Sequence, residues 1–157
     1  MTDINKIAFL GTGLMGAPMC KRLLKAGFPL SAWNRSASKA EALQSDGAKV
    51  SATPEDAVNG ADVIITMLSD GAAVTNLMFD RGLANSITQG SIRIEMGSIA
   101  VNEATDHAKR HSEHGVDYLD APVSGGTRGA AAGELAIMVG GNANTFDKMQ
   151  TVFAPLG

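Results

Sequence analysis

An α/β fold built on a doubly wound, mostly parallel sheet is predicted by three features of this 157-residue chain. The first is its start. A short apolar run, Ile4 to Leu10, ends in the loop Gly11-Thr12-Gly13-Leu14-Met15-Gly16 and leads into Met15, Met19, Leu23 and Ala26 at helical spacing. The second is a steady alternation of short β-rich runs with helical stretches over the whole length. The third is that the strands read as near-continuous apolar runs, Val63-Ile64-Ile65-Thr66-Met67-Leu68 above all. Crossover helices cover both faces of a parallel sheet, so its strands have no polar side.

The elements follow in order. Gly27 stops the first helix, Phe28 to Trp33 reads as a second strand, and Ser36 to Gln44 as a short helix closed by Asp46-Gly47. Pro54 to Asn59 is another short helix, and Ala61-Asp62 leads into the strand from Val63 to Leu68. Ile92 to Met96 is a strand, Val101 to His114 a helix ended by Gly115, and Val116 to Leu119 a strand running into Asp120-Ala121-Pro122. Leu135 to Val139 reads as one more strand and Asn142 to Phe153 as a last amphipathic helix. No repeat or linker divides the chain, so residues 1–157 are read as one domain.

Composition narrows the function classes. With 45% hydrophobic and 18% charged residues the chain is globular in character and can form a core. A net charge of −3, with no cluster among the 13 basic residues, gives no footprint for nucleic acid. No apolar run reaches the ~18 residues of a membrane span, and the polar stretch Met1 to Lys6 is unlike a signal peptide, so a cytoplasmic protein is expected. The single cysteine, Cys20, cannot form an internal disulfide and reads as packing.

The glycine loop is the firmest chemical signal, because it follows a strand and opens a helix. Gly11 permits a tight turn, Gly13 lets the backbone approach a pyrophosphate, and Gly16 lets the helix pack on the strand, with Leu14 and Met15 between them at the helix N-terminus. The reading without a ligand is a glycine-rich turn. Some 20 residues on, where an acidic residue would bind the ribose 2′-hydroxyl of NAD, stands Asn34-Arg35-Ser36. A carboxylate would repel a 2′-phosphate, whereas a guanidinium and a hydroxyl can hold one, so NADP(H) is expected over NAD(H). The alternative is a solvated Arg35.

A second informative segment is Asp120-Ala121-Pro122-Val123-Ser124-Gly125-Gly126. A hydroxyl flanked by accessible backbone N–H groups suits a small carboxylate, although the spacing alone fits a plain glycine-rich turn equally well. His107 and His111 share a helix face at i, i+4, as zinc ligands sometimes do, but no third ligand follows unless His114 curls back. No metal is expected, and both histidines read as a solvated polar face. No Gly-x-Ser-x-Gly supports a hydrolase.

Taken together, the loop with Ala17-Pro18-Met19, Asn34-Arg35-Ser36 and the stretch from Asp120 to Gly141 resemble the β-hydroxyacid dehydrogenase family, which includes 3-hydroxyisobutyrate dehydrogenases and tartronate semialdehyde reductases. The resemblance implies a Rossmann-type domain and reversible hydride transfer between a nicotinamide and a small β-hydroxy acid or its semialdehyde. It implies that Ser124, Gly125 and Gly126 hold the substrate, and that Met67, Leu68 and Ser98 line the cofactor near its ribose and nicotinamide. Ser69 stands where the family commonly has proline, Arg22 where it has asparagine, and Gly97-Ser98 where it has Ser-Thr. The family's catalytic lysine, in a Gly-x-Gly-x-x-x-Lys segment, and its all-helical second domain would lie beyond Gly157. Lys148 reads instead as the polar face of the last helix.

The expectation is therefore the cofactor half of such an enzyme, poorly active alone and with apolar surface exposed. The missing half would come from a second chain, or the chain would form a homo-oligomer. The competing readings are a binding module without catalysis or half of a split protein. An imine reductase shares the loop and the Asn-Arg-Ser segment but leaves Asp120 to Gly126 unexplained.

Overall fold

The computed structural model describes residues 3–157; Met1 and Thr2, the start of the polar N-terminal stretch, lie outside the described residues. The main sheet has seven strands: β1 (Ile7–Leu10), β2 (Leu30–Trp33), β3 (Lys49–Val50), β4 (Val63–Thr66), β5 (Ile92–Glu95), β6 (Asp117–Asp120) and, at one edge, β9 (Gly140–Gly141). Their spatial order is β3-β2-β1-β4-β5-β6-β9, and all pairs are parallel except β6 with β9. A separate two-stranded antiparallel sheet joins β7 (Val123–Ser124) to β8 (Ala136–Ile137).

Alternation along each strand divides the core in two, as the period of a pleated strand requires. Ile7 and Phe9 of β1, Val63 and Ile65 of β4, and Ile92 and Ile94 of β5 pack with α1 (Gly16–Lys25) and α7 (Ala143–Phe153). Ala8, Leu10 and Ile64 face the other way, toward α3 (Pro54–Val58), α4 (Gly71–Thr75) and the π turn Asn76–Asp80 that continues it. This second face is apolar beneath β1 and β4. Beneath β5 and β6 it becomes polar, with Arg93, Glu95 and His111 all buried and Tyr118 half-buried.

Several elements were hidden in the sequence. The run from Leu135 to Val139 is not one strand. Its first part pairs with Val123–Ser124 in the small sheet, and the chain then crosses to pair Gly140 and Gly141 with Asp120 and Leu119. A Cβ on Gly141 would come within 2.6 Å of the Leu119 side chain, so this edge pairing depends on glycine. The glycine-rich stretch after Ser124 is a helix, α6 (Gly126–Ala132), whose Gly129 and Ala130 are buried and which packs on α1. Between β4 and β5, the Asp70 carboxylate accepts the Ala73 N–H at 2.8 Å and starts α4, a helix with no apolar periodicity to announce it. A short α2 (Ala37–Glu41) and α5 (Val101–Glu113) complete the layers. No helix among the described residues is long and apolar enough to cross a membrane.

Candidate cofactor and substrate site

The chain runs from β1 outward to β3 and then restarts at β4 on the other side of β1, so the carboxyl ends of β1 and β4 diverge and leave a crevice. A cavity of about 550 Å³ opens there. Its walls include Gly11, Gly13, Leu14, Met15 and Gly16 from the first loop, Asn34, Arg35 and Ser36 after β2, and Met67 and Leu68 after β4. Ten of the eleven residues expected around the cofactor thus share one cavity. The eleventh, Ser98, is exposed and lies outside its lining.

The three loop glycines have separable physical roles. Gly11 has φ +105°, and a Cβ on it would run into the Met67 carbonyl oxygen. On Gly16 a Cβ would strike the Gly11 carbonyl and approach the Phe9 ring at 3.2 Å, which is the close helix–strand contact the motif implies. Gly13 differs: nothing lies within 4 Å of where its Cβ would be. The α1 N-terminus behind the loop has no side-chain cap, so its positive end is left for an anion.

The wall after β2 is braced by Asn34. Its side-chain oxygen accepts the Thr12 N–H at 2.9 Å and its amide donates to the Ser36 carbonyl at 3.0 Å, joining the glycine loop to the next one. Arg35 and Ser36 are exposed beside it. Two cations that the motif did not indicate also line the cavity, Lys39 from α2 and Arg81 from the far wall. Lys39 could have been found, since it follows Ser36 by three residues, one helical turn. Arg81 could not: it is delivered by the π turn, closed by its own N–H on the Asn76 carbonyl at 2.8 Å. Its guanidinium lies 3.9 Å from the Glu55 carboxylate at the surface. No carboxylate lines the cavity among the described residues.

At the ends of β4 and β5 a buried network runs beneath the crevice. Arg93 donates to the Ile94 carbonyl at 2.7 Å, to Thr66 Oγ1 at 2.6 Å and to Glu95 Oε1 at 3.0 Å. The Thr66 hydroxyl donates to Glu95 Oε1 at 2.7 Å, and the Gly97 N–H donates to Glu95 Oε2 at 3.0 Å. Burial pushes the Glu95 carboxyl up from its ordinary range, while Arg93, Thr66 and Gly97 pull it back.

The expected substrate residues sit elsewhere. Ser124 lies in β7, while Gly125 and Gly126 cap and open α6; all three are exposed and none lines the cavity. Asp120, at the start of that segment, has its carboxyl raised by burial. Arg22, a departure from the family pattern, donates to the Pro155 carbonyl at 3.0 Å and ties α1 to the C-terminal turn.

The histidines correct the reading from sequence. His107 and His111 are not on a solvated face but are each only 1% exposed. His107 meets the Thr75 hydroxyl at 2.8 Å, and His111 stacks on Tyr118 with both ring nitrogens lacking a protein partner. Phe79 packs against both rings. Helix α5 lies on β6, so the i, i+4 pair that reads as surface in sequence points into the sheet's polar half.

A glycine loop at a helix N-terminus, set at the switch point of a parallel sheet, defines a dinucleotide-binding Rossmann domain. The chain belongs to the family described as the NAD binding domain of 6-phosphogluconate dehydrogenase, whose model matches residues 6–157. It is 43% identical over 155 residues to a Pseudomonas aeruginosa protein named NAD-dependent L-serine dehydrogenase, a match covering 98% of this chain and 52% of that one. A structure of Mycobacterium tuberculosis 3-hydroxyisobutyrate dehydrogenase with L-serine superposes with a TM-score of 0.94 at 36% identity, covering 99% of this chain and 53% of that one. An imine reductase from Myxococcus stipitatus in complex with NADP+ gives 0.90 at 27% identity, covering 97% and 52%. The chain thus spans about half the length of the relatives it matches, and the resemblance to β-hydroxyacid dehydrogenases read from its motifs holds.

Proposed function

We propose that this chain is the NADP(H)-binding part of an oxidoreductase that moves a hydride between a nicotinamide and a small β-hydroxy acid or its semialdehyde. The observation that carries the cofactor assignment is the charge of the crevice: Arg35, Lys39 and Arg81 line it with no carboxylate among them, in a protein of net charge −3. Arg35 and Ser36 would hold the 2′-phosphate, the α1 N-terminus with Gly13 the pyrophosphate, and Met67 and Leu68 the nicotinamide half. When bound, the cofactor supplies or accepts the hydride. The chain's part is to orient it and shield one face.

Ser124, Gly125 and Gly126, exposed and outside the cavity lining, are proposed to receive the substrate carboxylate, the Ser124 hydroxyl and nearby N–H groups acting as donors. The 3-hydroxyisobutyrate dehydrogenase relative solved with L-serine supports a small hydroxylated carboxylate. Hydride transfer to a carbonyl requires a proton donor, and no lysine here matches the family's segment. The 157 residues alone are therefore proposed to bind cofactor with little turnover, the remaining groups coming from a helical domain, a second chain or a second copy. Leu14, Val101 and Met138 are the exposed large apolar side chains among the described residues.

A second reading, NAD(H), is favoured by the name of the 43% identical relative. Calorimetric titration of NADPH and NADH decides between them. Tighter binding of NADPH supports the proposal, and NADH bound equally or more tightly overturns it.

A further inference from the structure

Arg93 and Glu95 are adjacent side chains on one face of β5, both with no exposed surface. Taking two charges out of water is unfavourable, and an apolar pair of the same size would often be as stable or more so, so the fold alone does not account for them. Their contacts do. Glu95 Oε1 holds the Thr66 hydroxyl, the last residue of β4, and Oε2 holds the Gly97 N–H, two residues past the carboxylate's own backbone. Met67 and Leu68 in the crevice wall follow Thr66 directly, and Ser98 follows Gly97. One carboxylate therefore spans the exits of both strands.

Sterics make the coupling tighter. A Cβ on Gly97 would lie 3.1 Å from Glu95 Oε2 and 3.2 Å from the Leu68 carbonyl oxygen, so Gly97 is wedged between the carboxylate and the Leu68 backbone. A side chain at this position would require the carboxylate or the Leu68 backbone to give by a few tenths of an ångström. A dinucleotide lies across the switch point, and the cations near β2 mark its adenosine end, so its nicotinamide end runs over the exits of β4 and β5.

We infer that the buried Glu95 carboxylate, held by Arg93, is a positioning group that locks the Gly97 backbone against Leu68 and so sets the surface on which the nicotinamide half of the cofactor rests. Glu95 touches no ligand and acts through the backbone. The inference rests on the cofactor reading above and concerns its other end.

The test compares the affinity of NADPH with that of 2′,5′-ADP, which carries the adenosine phosphates but no nicotinamide, in the wild-type chain and in Glu95→Gln. Because Glu95→Gln leaves Arg93 buried without its partner charge, the double variant Arg93→Met/Glu95→Gln, which removes both charges, and Gly97→Ala are measured alongside. The expected result is NADPH weakened about tenfold with 2′,5′-ADP held within about twofold, the loss of one charge-assisted hydrogen bond acting at one end only. The emission shift of bound NADPH should shrink in the same variants. Parallel loss of both affinities, no change in a folded variant, or a wild-type chain that binds NADPH no tighter than 2′,5′-ADP would each overturn the inference. Preference of the wild type for NADH would overturn only the cofactor reading, and the same comparison would then be made with NADH against ADP.

Discussion

The Asn34 side chain accepts the Thr12 N–H at 2.9 Å, so the residue that opens the loop after β2 also fixes the backbone of the loop after β1. The same amide donates to the Ser36 carbonyl, and together the two bonds make the glycine loop and the loop after β2 one unit.

Asn34→Asp preserves the first bond and abolishes the second, since a carboxylate can accept from the Thr12 N–H but has no hydrogen to donate to the Ser36 carbonyl, and two acceptors then face each other. It also places a negative charge beside Arg35. The ratio of NADPH to NADH affinity should fall by about tenfold or more, because a repulsive element discriminates as strongly as an attractive one. Fluorescence titration with both cofactors checks this; an unchanged ratio would remove Asn34 from the specificity argument.

Arg81→Ala and Lys39→Ala should each weaken NADPH more than NADH. A charge-assisted contact of this type is worth about 1.5–3 kcal/mol when well ordered, and the exposure of Arg81 places it at the lower end. The effect should shrink as salt rises from 50 to 500 mM. Equal weakening of both cofactors would assign these side chains to the adenine or to the loop's fold.

Gly13→Ala and Gly16→Ala separate binding from folding. The first adds a methyl group that meets no protein atom within 4 Å, so the melting temperature should hold while cofactor binding is lost. The second drives a methyl group into the Gly11 carbonyl and should cost several kcal/mol of stability, on the scale of about 1–3 kcal/mol or more for overpacking. Normal cofactor binding by Gly13→Ala would contradict a pyrophosphate against this loop.

His111 has its pKa lowered from 6.5 to about 3, chiefly by burial and then by the charges of Arg93, His107 and His114. Between those values the folded protein binds fewer protons than the unfolded chain, so this contribution to stability is complete above about pH 6.5 and is lost as pH falls toward 3. From pH 7 to pH 5 it amounts to about 2 kcal/mol, at about 1.4 kcal/mol per unit below 6.5. Urea unfolding of His111→Leu should show a shallower acid decline than the wild type. At pH 7 the variant should be at least as stable, since neither ring nitrogen has a protein partner to lose. Identical pH slopes would refute a buried neutral His111.

The mostly parallel sheet and the glycine loop were legible because they follow from local signals: a glycine run between a strand and a helix, and strands with no polar side. What escaped was whatever depended on contacts distant in sequence. Glycines hid α6, whose Gly129 and Ala130 bury against α1, and the split of the run after Glu134 is set by how closely Gly141 approaches Leu119. The histidines misled for the same reason: polarity in a helix reads as surface until Tyr118 and Arg93 are found beneath it. Among the cavity residues, those in motifs were found and Arg81 was not, because a π turn leaves no periodic trace.

That turn also bears on how this crevice can change over generations. Residues 76–80 hold one more residue per turn than an α-helix does, and such a turn relaxes to α when a single residue is deleted. Because the π turn already absorbs one extra residue, its relaxation to α would leave the segment that follows close to its present orientation, with Arg81 still at the cavity wall. The cation on this wall is thus buffered against the loss of one residue in the segment that carries it, and its removal would take a substitution of Arg81 itself or a change in length too large for the turn to absorb.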